Sequence, residues 1–287
     1  RVRQALGWRK LSKLNLVVMQ DAINELQSDN ERKNSKKILV DMLEKALASD
    51  LITKNVAKQI TTEITKEEKK PRRVLTVGET EIFLAEAKDT FYYNMFVVAL
   101  ETGMRIGELT GLQWEDIDYK NKIIHVNHSM TYFSKNGKYT FEMHPTKTNK
   151  GMRNIPLTER AIKALRQQYF VKQTILSSKE PLDGFENLVF VTKNNRPTTE
   201  FLVTECISGV VKRINKNNPD LAFEKFTPHC FRHTFATRWL EANVPIKTVS
   251  AILGHAQLQL TTDLYMHVTT DSLFKGLEQF ESVRQVG

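Results

Sequence analysis

The chain lacks most of the features that announce a compartment or a cofactor. Of its 287 residues only two are cysteines, Cys206 and Cys230. Both fall in stretches with helical patterning, which argues against a disulfide framework and for a reducing compartment. No apolar run approaches the roughly 18 residues of a membrane span, and no secretory leader is visible. Internal repeats and low-complexity tracts are missing too. Carboxylates are in deficit, 33 Asp and Glu against 42 Lys and Arg, and they form no cluster that would hold magnesium. The chain opens at Arg1 rather than Met, which reads as a fragment of something longer.

What is present suits a folded protein with a polyanionic partner. Hydrophobic residues make up 40% of the chain, enough for a full core in one large domain or two unequal ones. The formal charge of +9 fits nucleic acid or an acidic membrane surface. Its distribution is uneven. Residues 1–73 hold 17 Lys and Arg against 10 Asp and Glu, whereas the rest of the chain is nearly balanced.

Patterning predicts a mainly helical α+β fold with a small antiparallel sheet. Residues 14–27 carry Leu14, Val18, Ala22 and Leu26 near one stripe of a helix. Ser35 is placed to cap a second helix beginning Lys36-Lys37, with Leu39, Leu43, Ala46 and Leu47 on one face. Residues 60–74 turn polar and read as a connection, which gives a first domain at 1–70, a linker at 71–74 and a second domain at 75–287. Thr76 and Glu79 form a capping box that opens the second domain. An apolar helix over 91–101 stops at Gly103, just before Arg105. Residues 123–126 and 154–157 read as strands, Asn136-Gly137 as a hairpin turn and 147–151 as a second turn. Thr227-Pro228 starts a helix running to about Ala242, and Pro245 opens another that ends on Gly254. Thr261 or Thr262 caps a short helix bearing Tyr265, and 273–280 is amphipathic.

Three separated segments carry the chemistry. Thr102-Gly103-Met104-Arg105-Ile106-Gly107-Glu108-Leu109 supplies one arginine. His229-Cys230-Phe231-Arg232-His233-Thr234 supplies a second, with His229 three residues earlier on the same helical face. Leu253-Gly254-His255 presents a histidine just past a helix end, and Tyr265 follows with a phenol oxygen. Phosphoryl transfer needs cations aimed at the oxygens where charge builds, and a guanidinium fork meets two of them. Taken singly, each residue has a plainer explanation: an ion-pair arginine, a histidine settled at a helix C-terminus, a core tyrosine, a turn lysine at Lys147. The joint pattern favours a phosphodiester site. His229 and His233 have the spacing of a zinc pair, but Cys230 stands where a metalloprotease needs glutamate. No metal and no cofactor are expected.

These motifs, in this order, resemble the tyrosine recombinase (phage integrase) family, closely over 74–287 and more loosely over 10–73. More narrowly the chain is similar to the integrases of conjugative transposons. The resemblance implies that Tyr265 attacks the scissile phosphate to form a 3′-phosphotyrosyl link and release a 5′-hydroxyl. It implies that Arg105, Arg232 and His255 hold the phosphorane, that Lys147 is the general acid with Lys150 as its competitor, and that His229 accepts the tyrosine proton. Glu108 then orients Arg105 or a neighbour. No metal or ATP takes part. One departure concerns the His255-to-Tyr265 spacing, which is one residue longer than in many members.

The resemblance also makes residues 1–70 a core-binding clamp on double-stranded DNA with inverted-repeat core sites, and 75–287 the catalytic domain. Phosphate contacts are expected from Lys36, Lys37, Lys54, Arg72, Arg73 and Lys150, each of which is otherwise a solvated surface charge. Segment 273–280 is expected to dock on a neighbouring protomer, giving a dimer per site and a tetramer in the synapse, or else to fold back on its own domain. The setting is a bacterial cytoplasm, on DNA and away from membrane, with room for an accessory DNA-bending or excision factor. Family members often carry a further N-terminal arm-binding domain. Two alternatives use the same residues: a type IB topoisomerase, and a DNA-binding protein with a dead site.

Overall fold

Side-chain caps at Asn15, Ser28, Thr76, Thr158 and Thr199 each start a helix of this protein. In the computed structural model, which describes residues 2–62, 72–135, 138–145 and 151–254, the chain divides into two compact units, Arg1–Lys70 and Pro71–Gly287.

The first unit holds helices α1 (Val2–Leu6), α2 (Leu16–Asn24) and α3 (Asp29–Ala48) and a 3-10 turn at Val56–Gln59. Asn15 caps α2 by accepting from the Val18 amide at 2.9 Å. Helix α3 starts at Ser28, not at Ser35 as its apolar stripe predicts. The Ser28 hydroxyl takes the Glu31 amide, and Asp29 and Glu31 add negative charge to the positive end of the helix dipole. Its first two turns are polar all round, so periodicity was blind to them. Leu39 and Leu43 from α3 meet Met19, Ala22 and Ile23 from α2 in a small core. Lys37 and Lys54 are exposed and Lys36 is half-buried.

In the second unit, Thr76 and Glu79 form the expected reciprocal box at the start of α4 (Val77–Ala87). Helix α5 (Tyr93–Thr102) is apolar over residues 95–100 and runs through the core, with residues 94–100 buried. Around it lie α6 (Ile106–Thr110), α7 (Glu159–Leu176), α8 (Glu200–Asn217), α9 (His229–Glu241) and α10 (Ile246–Leu253). Phe83, Phe96, Phe226 and Phe231 meet at the centre with ring centroids 5.1–5.7 Å apart. Such aromatic pairs each add about 0.5–1.5 kcal/mol beyond their buried area. Helix α9 starts at His229, and Thr227 contributes its carbonyl to the Cys230 amide rather than the side-chain cap expected of it.

The β structure differs from the single sheet expected. Strands β1 (Ile117–Asp118), β2 (Ile123–Val126) and β5 (Arg153–Pro156) form one antiparallel sheet in the order β1-β2-β5, with Ile124 opposite Ile155. Strands β3 (His128–Lys135) and β4 (Lys138–Pro145) form a separate hairpin, paired from His128–Pro145 to Lys135–Lys138. Two-residue strands such as β1 have no periodicity for a sequence to show. Residues 136–137 and 146–150, Tyr265 with the short helix expected to bear it, and segment 273–280 lie outside the described residues.

Helix α5 stops because Gly103 turns left-handed, φ 60°. A Cβ there would sit 2.5 Å from the Phe235 ring. Gly103→Ala should therefore destabilise the second unit by about 2–4 kcal/mol, combining backbone strain and overpacking. A fall in the urea midpoint at unchanged m-value is the expected reading.

Candidate active site

The last carbonyls of a helix have no partner within it and carry the negative end of its dipole. At the end of α10 three consecutive carbonyls each accept from an arginine. Arg153 reaches the Ile252 oxygen through Nε, Arg232 the Leu253 oxygen at 2.6 Å, and Arg105 the Gly254 oxygen at 2.9 Å. These side chains come from β5, from α9 and from the residue that leads into α6. Gly254 makes the arrangement possible: it ends the helix at φ 65°, and a Cβ on it would lie 3.1–3.3 Å from the Arg153 side chain. The other guanidinium arm of Arg232 donates to the Gly103 oxygen at 2.9 Å, so one buried side chain ties the ends of α5 and α10 together.

Glu108 sits beneath two of the arginines. Its oxygens accept from Arg153 Nη1 and Nη2 at 3.0 and 2.8 Å, from Arg105 Nη1 at 2.8 Å and from the Arg105 amide at 2.9 Å. Burial pushes the Glu108 carboxyl up, but Arg153 and then Arg105 more than offset this and hold it below its ordinary range. One carboxylate thus faces three guanidinium groups, and the cluster keeps a net positive charge. Burial, then Arg105, push the Arg232 guanidinium down to about 9, against the pull of Glu108. It still stays charged at neutral pH. Arg105 has 40% of its side chain exposed, whereas Arg153 has 6%. Arg105 is therefore open to a ligand and Arg153 is enclosed.

His229 stands on α9 three residues before Arg232, with its ring 4.6 Å from that of His233 and perpendicular to it. One side of His229 is open to solvent, but the protein mass behind it removes part of its hydration. That desolvation first, then Arg232, Arg72 and Arg105, lower its pKa. A neutral imidazole beside a cationic cradle is able to take up a proton. The neighbouring Cys230 is buried and donates to the Arg73 carbonyl, and burial pushes its thiol up to about 11, which makes it a poor nucleophile.

Of the residues expected at the site, Arg105, Glu108, His229 and Arg232 come together, and Arg72 is exposed close enough to influence His229. Arg73 also has partners within the protein. Its guanidinium is engaged by Glu79, by Glu224 at 3.2 Å and by the Val74 carbonyl. Lys147, Lys150, His255 and Tyr265 lie outside the described residues. Arg153 was missed. Its signal was available: in β5 it falls two residues from buried Ile155, on the same face, and a charge on that face needs a partner.

The sequence model described as "Phage integrase family" matches residues 73–272. The chain belongs to the phage integrase family. It is 31% identical over 219 residues to the transposase from transposon Tn916 of Enterococcus faecalis, covering 75% of this chain and 53% of that protein. It is 31% identical over 275 residues to a XerC-like tyrosine recombinase of Caldanaerobacter subterraneus subsp. tengcongensis, covering 90% and 68%. The chain thus spans about half the length of the transposon transposases it matches. Among solved structures it is similar to the Tn1549 transposon integrase in complex with transposon right end DNA. The TM-score is 0.76 at 28% identity, over 97% of this chain and 89% of that one. This family fold is mainly helical with small antiparallel sheets, and no described helix is long and apolar enough to cross a membrane.

Removing Glu108 should be costly, because it leaves enclosed Arg153 without its carboxylate. Glu108→Ala is expected to lose about 3–5 kcal/mol at neutral pH. The folded carboxyl titrates below its unfolded value, so this stabilisation is present above the ordinary glutamate range and disappears as pH falls through the lowered pKa. Urea titrations of both proteins across that range should show their difference closing on acidification.

Proposed function

We propose that this chain is the clamp and catalytic part of a site-specific tyrosine recombinase that excises and integrates a mobile element. The observation that carries the reading is the cradle itself: Arg105 and Arg232, far apart in sequence, end on adjacent carbonyls of one helix terminus with a surplus of positive charge. Glu108 offsets only part of that charge, and a DNA phosphate would balance the rest. The similarity to recombinases, among them an integrase solved with transposon end DNA, supports the same reading.

In this mechanism Tyr265 attacks the scissile phosphorus and bonds to the 3′ phosphate. The bond to the 5′ oxygen breaks, and Lys147 (with Lys150 as the competing candidate) protonates that leaving oxygen. Arg105 and Arg232 bind the non-bridging oxygens where charge develops, joined by His255. His229, neutral before reaction, takes the phenol proton. Attack by a second 5′-hydroxyl reverses the steps, so the phosphotyrosine stores the bond energy and no ATP is consumed. The guanidinium groups do the electrostatic work that metal ions perform in other phosphoryl-transfer enzymes. Residues 1–70 serve as the DNA clamp, with Lys36, Lys37, Lys54 and Arg72 as phosphate contacts, Lys150 being its counterpart in the catalytic part. Residues 71–74 act as linker, 75–287 as catalytic domain, and 273–280 as the segment exchanged between protomers in a dimer per site and a tetramer in the synapse.

A suicide DNA substrate tests the reading directly. The wild-type protein should form an SDS-resistant adduct on Tyr265, and Tyr265→Phe should bind DNA yet form none. Arg232→Lys should slow adduct formation by about a hundredfold or more, since a point charge replaces a forked grip. An adduct that persists in Tyr265→Phe, or maps to another residue, would overturn the assignment.

His229 predicts a pH dependence. Its lowered pKa keeps it neutral, and able to accept a proton, to more acidic pH than an ordinary histidine. The acid limb of the cleavage rate should therefore lie below the usual histidine range and flatten in His229→Ala, as read from adduct formation across pH.

A further inference from the structure

We infer that Arg153 is a positioning residue for strand cleavage, an inference that rests on the recombinase reading. Its side chain is enclosed, and it touches several groups of the cradle. Through Nη1 and Nη2 it takes one edge of each Glu108 oxygen. Through Nε it holds the Ile252 carbonyl, one residue before the carbonyl that Arg232 grips and two before the one that Arg105 grips. Its Nη1 also reaches the Gly151 carbonyl at 3.2 Å, at the end of the segment that carries Lys147 and Lys150 in sequence. Its guanidinium lies against Gly254, which precedes His255.

The consequence for Arg105 follows from carboxylate geometry. A carboxylate and a guanidinium prefer to meet fork on fork, through two parallel hydrogen bonds. Arg153 occupies that position on Glu108. Arg105 is left with a single side-chain bond to Glu108, through Nη1, and a second to Gly254 through Nη2. Among the described residues its remaining N–H groups take no further partner, on a side chain 40% exposed. Without the Arg153 fork, Arg105 is free to rotate into the paired arrangement with Glu108 and withdraw from the phosphate. Arg153 thus acts through Arg105, by holding the competing carboxylate.

The test compares wild type and Arg153→Lys on the same suicide substrate. Lysine keeps the charge but loses the fork. At saturating DNA, the single-turnover rate of adduct formation should fall by about a hundredfold, the scale expected when a catalytic group is displaced by an ångström. The dissociation constant for DNA should not change, because every guanidinium nitrogen of Arg153 is already bonded within the protein. In an Arg105→Lys background the same substitution should cost far less, since the residue it positions is already gone. Rates are read where circular dichroism shows both proteins folded, with Arg153→Gln as the second variant. A wild-type rate in Arg153→Lys, a slowdown matched by weaker DNA binding, an undiminished effect in the Arg105→Lys background, or loss of fold in both variants would each overturn the positioning role. A wild-type protein that forms no adduct would instead overturn the recombinase reading, and this inference with it.

Discussion

The end of α10 is the constraint on which the second unit depends. A helix terminus offers carbonyls that its own backbone leaves unbonded. Here three in succession accept from Arg153, Arg232 and Arg105. Each arginine is anchored on a different element, so one helix end fixes β5, α9 and the start of α6 against one another. Like charges held together repel: two unit charges about 4 Å apart interact by about 4 kcal/mol at an effective dielectric near 20. The carbonyl dipoles and Glu108 offset part of this. They do not neutralise it, and the residual field suits an anionic ligand.

Two left-handed glycines make the crossing possible. Gly103 and Gly254 end α5 and α10, and their carbonyls receive Arg232 and Arg105 respectively. Close packing allows little else at either position, with Phe235 over one glycine and Arg153 over the other. A device that ends a helix therefore also builds the site. Structural and functional roles coincide here because orphan carbonyls need donors, and arginine is a donor that also carries charge.

Much of the cradle was legible beforehand. The Thr76–Glu79 box, the stop at Gly103 and the stop at Gly254 are local signals, set by residues within one turn of each other, and all three appear as read. Arg105, Glu108, His229 and Arg232 were recognisable by their joint order along the chain. The start of α3 was misplaced because its cap precedes two polar turns, where periodicity carries no information. The two separate β pairings were merged because strand partners are chosen by contacts remote in sequence.

By itself, the sequence determined the helical character of the chain, its basic balance, several of its helix ends and two of the three arginines at the site, Arg105 and Arg232. Those properties depend on composition, on turn-length spacing and on caps that act over a few residues. Only the tertiary structure decided that Arg153 holds Glu108, that Arg105 stays open while Arg153 is enclosed, and that three arginines share one helix end. The reason is physical. Which donor satisfies an orphan carbonyl or a buried carboxylate depends on what the folded core brings within about 3 Å of it, and no local pattern along the chain encodes that distance.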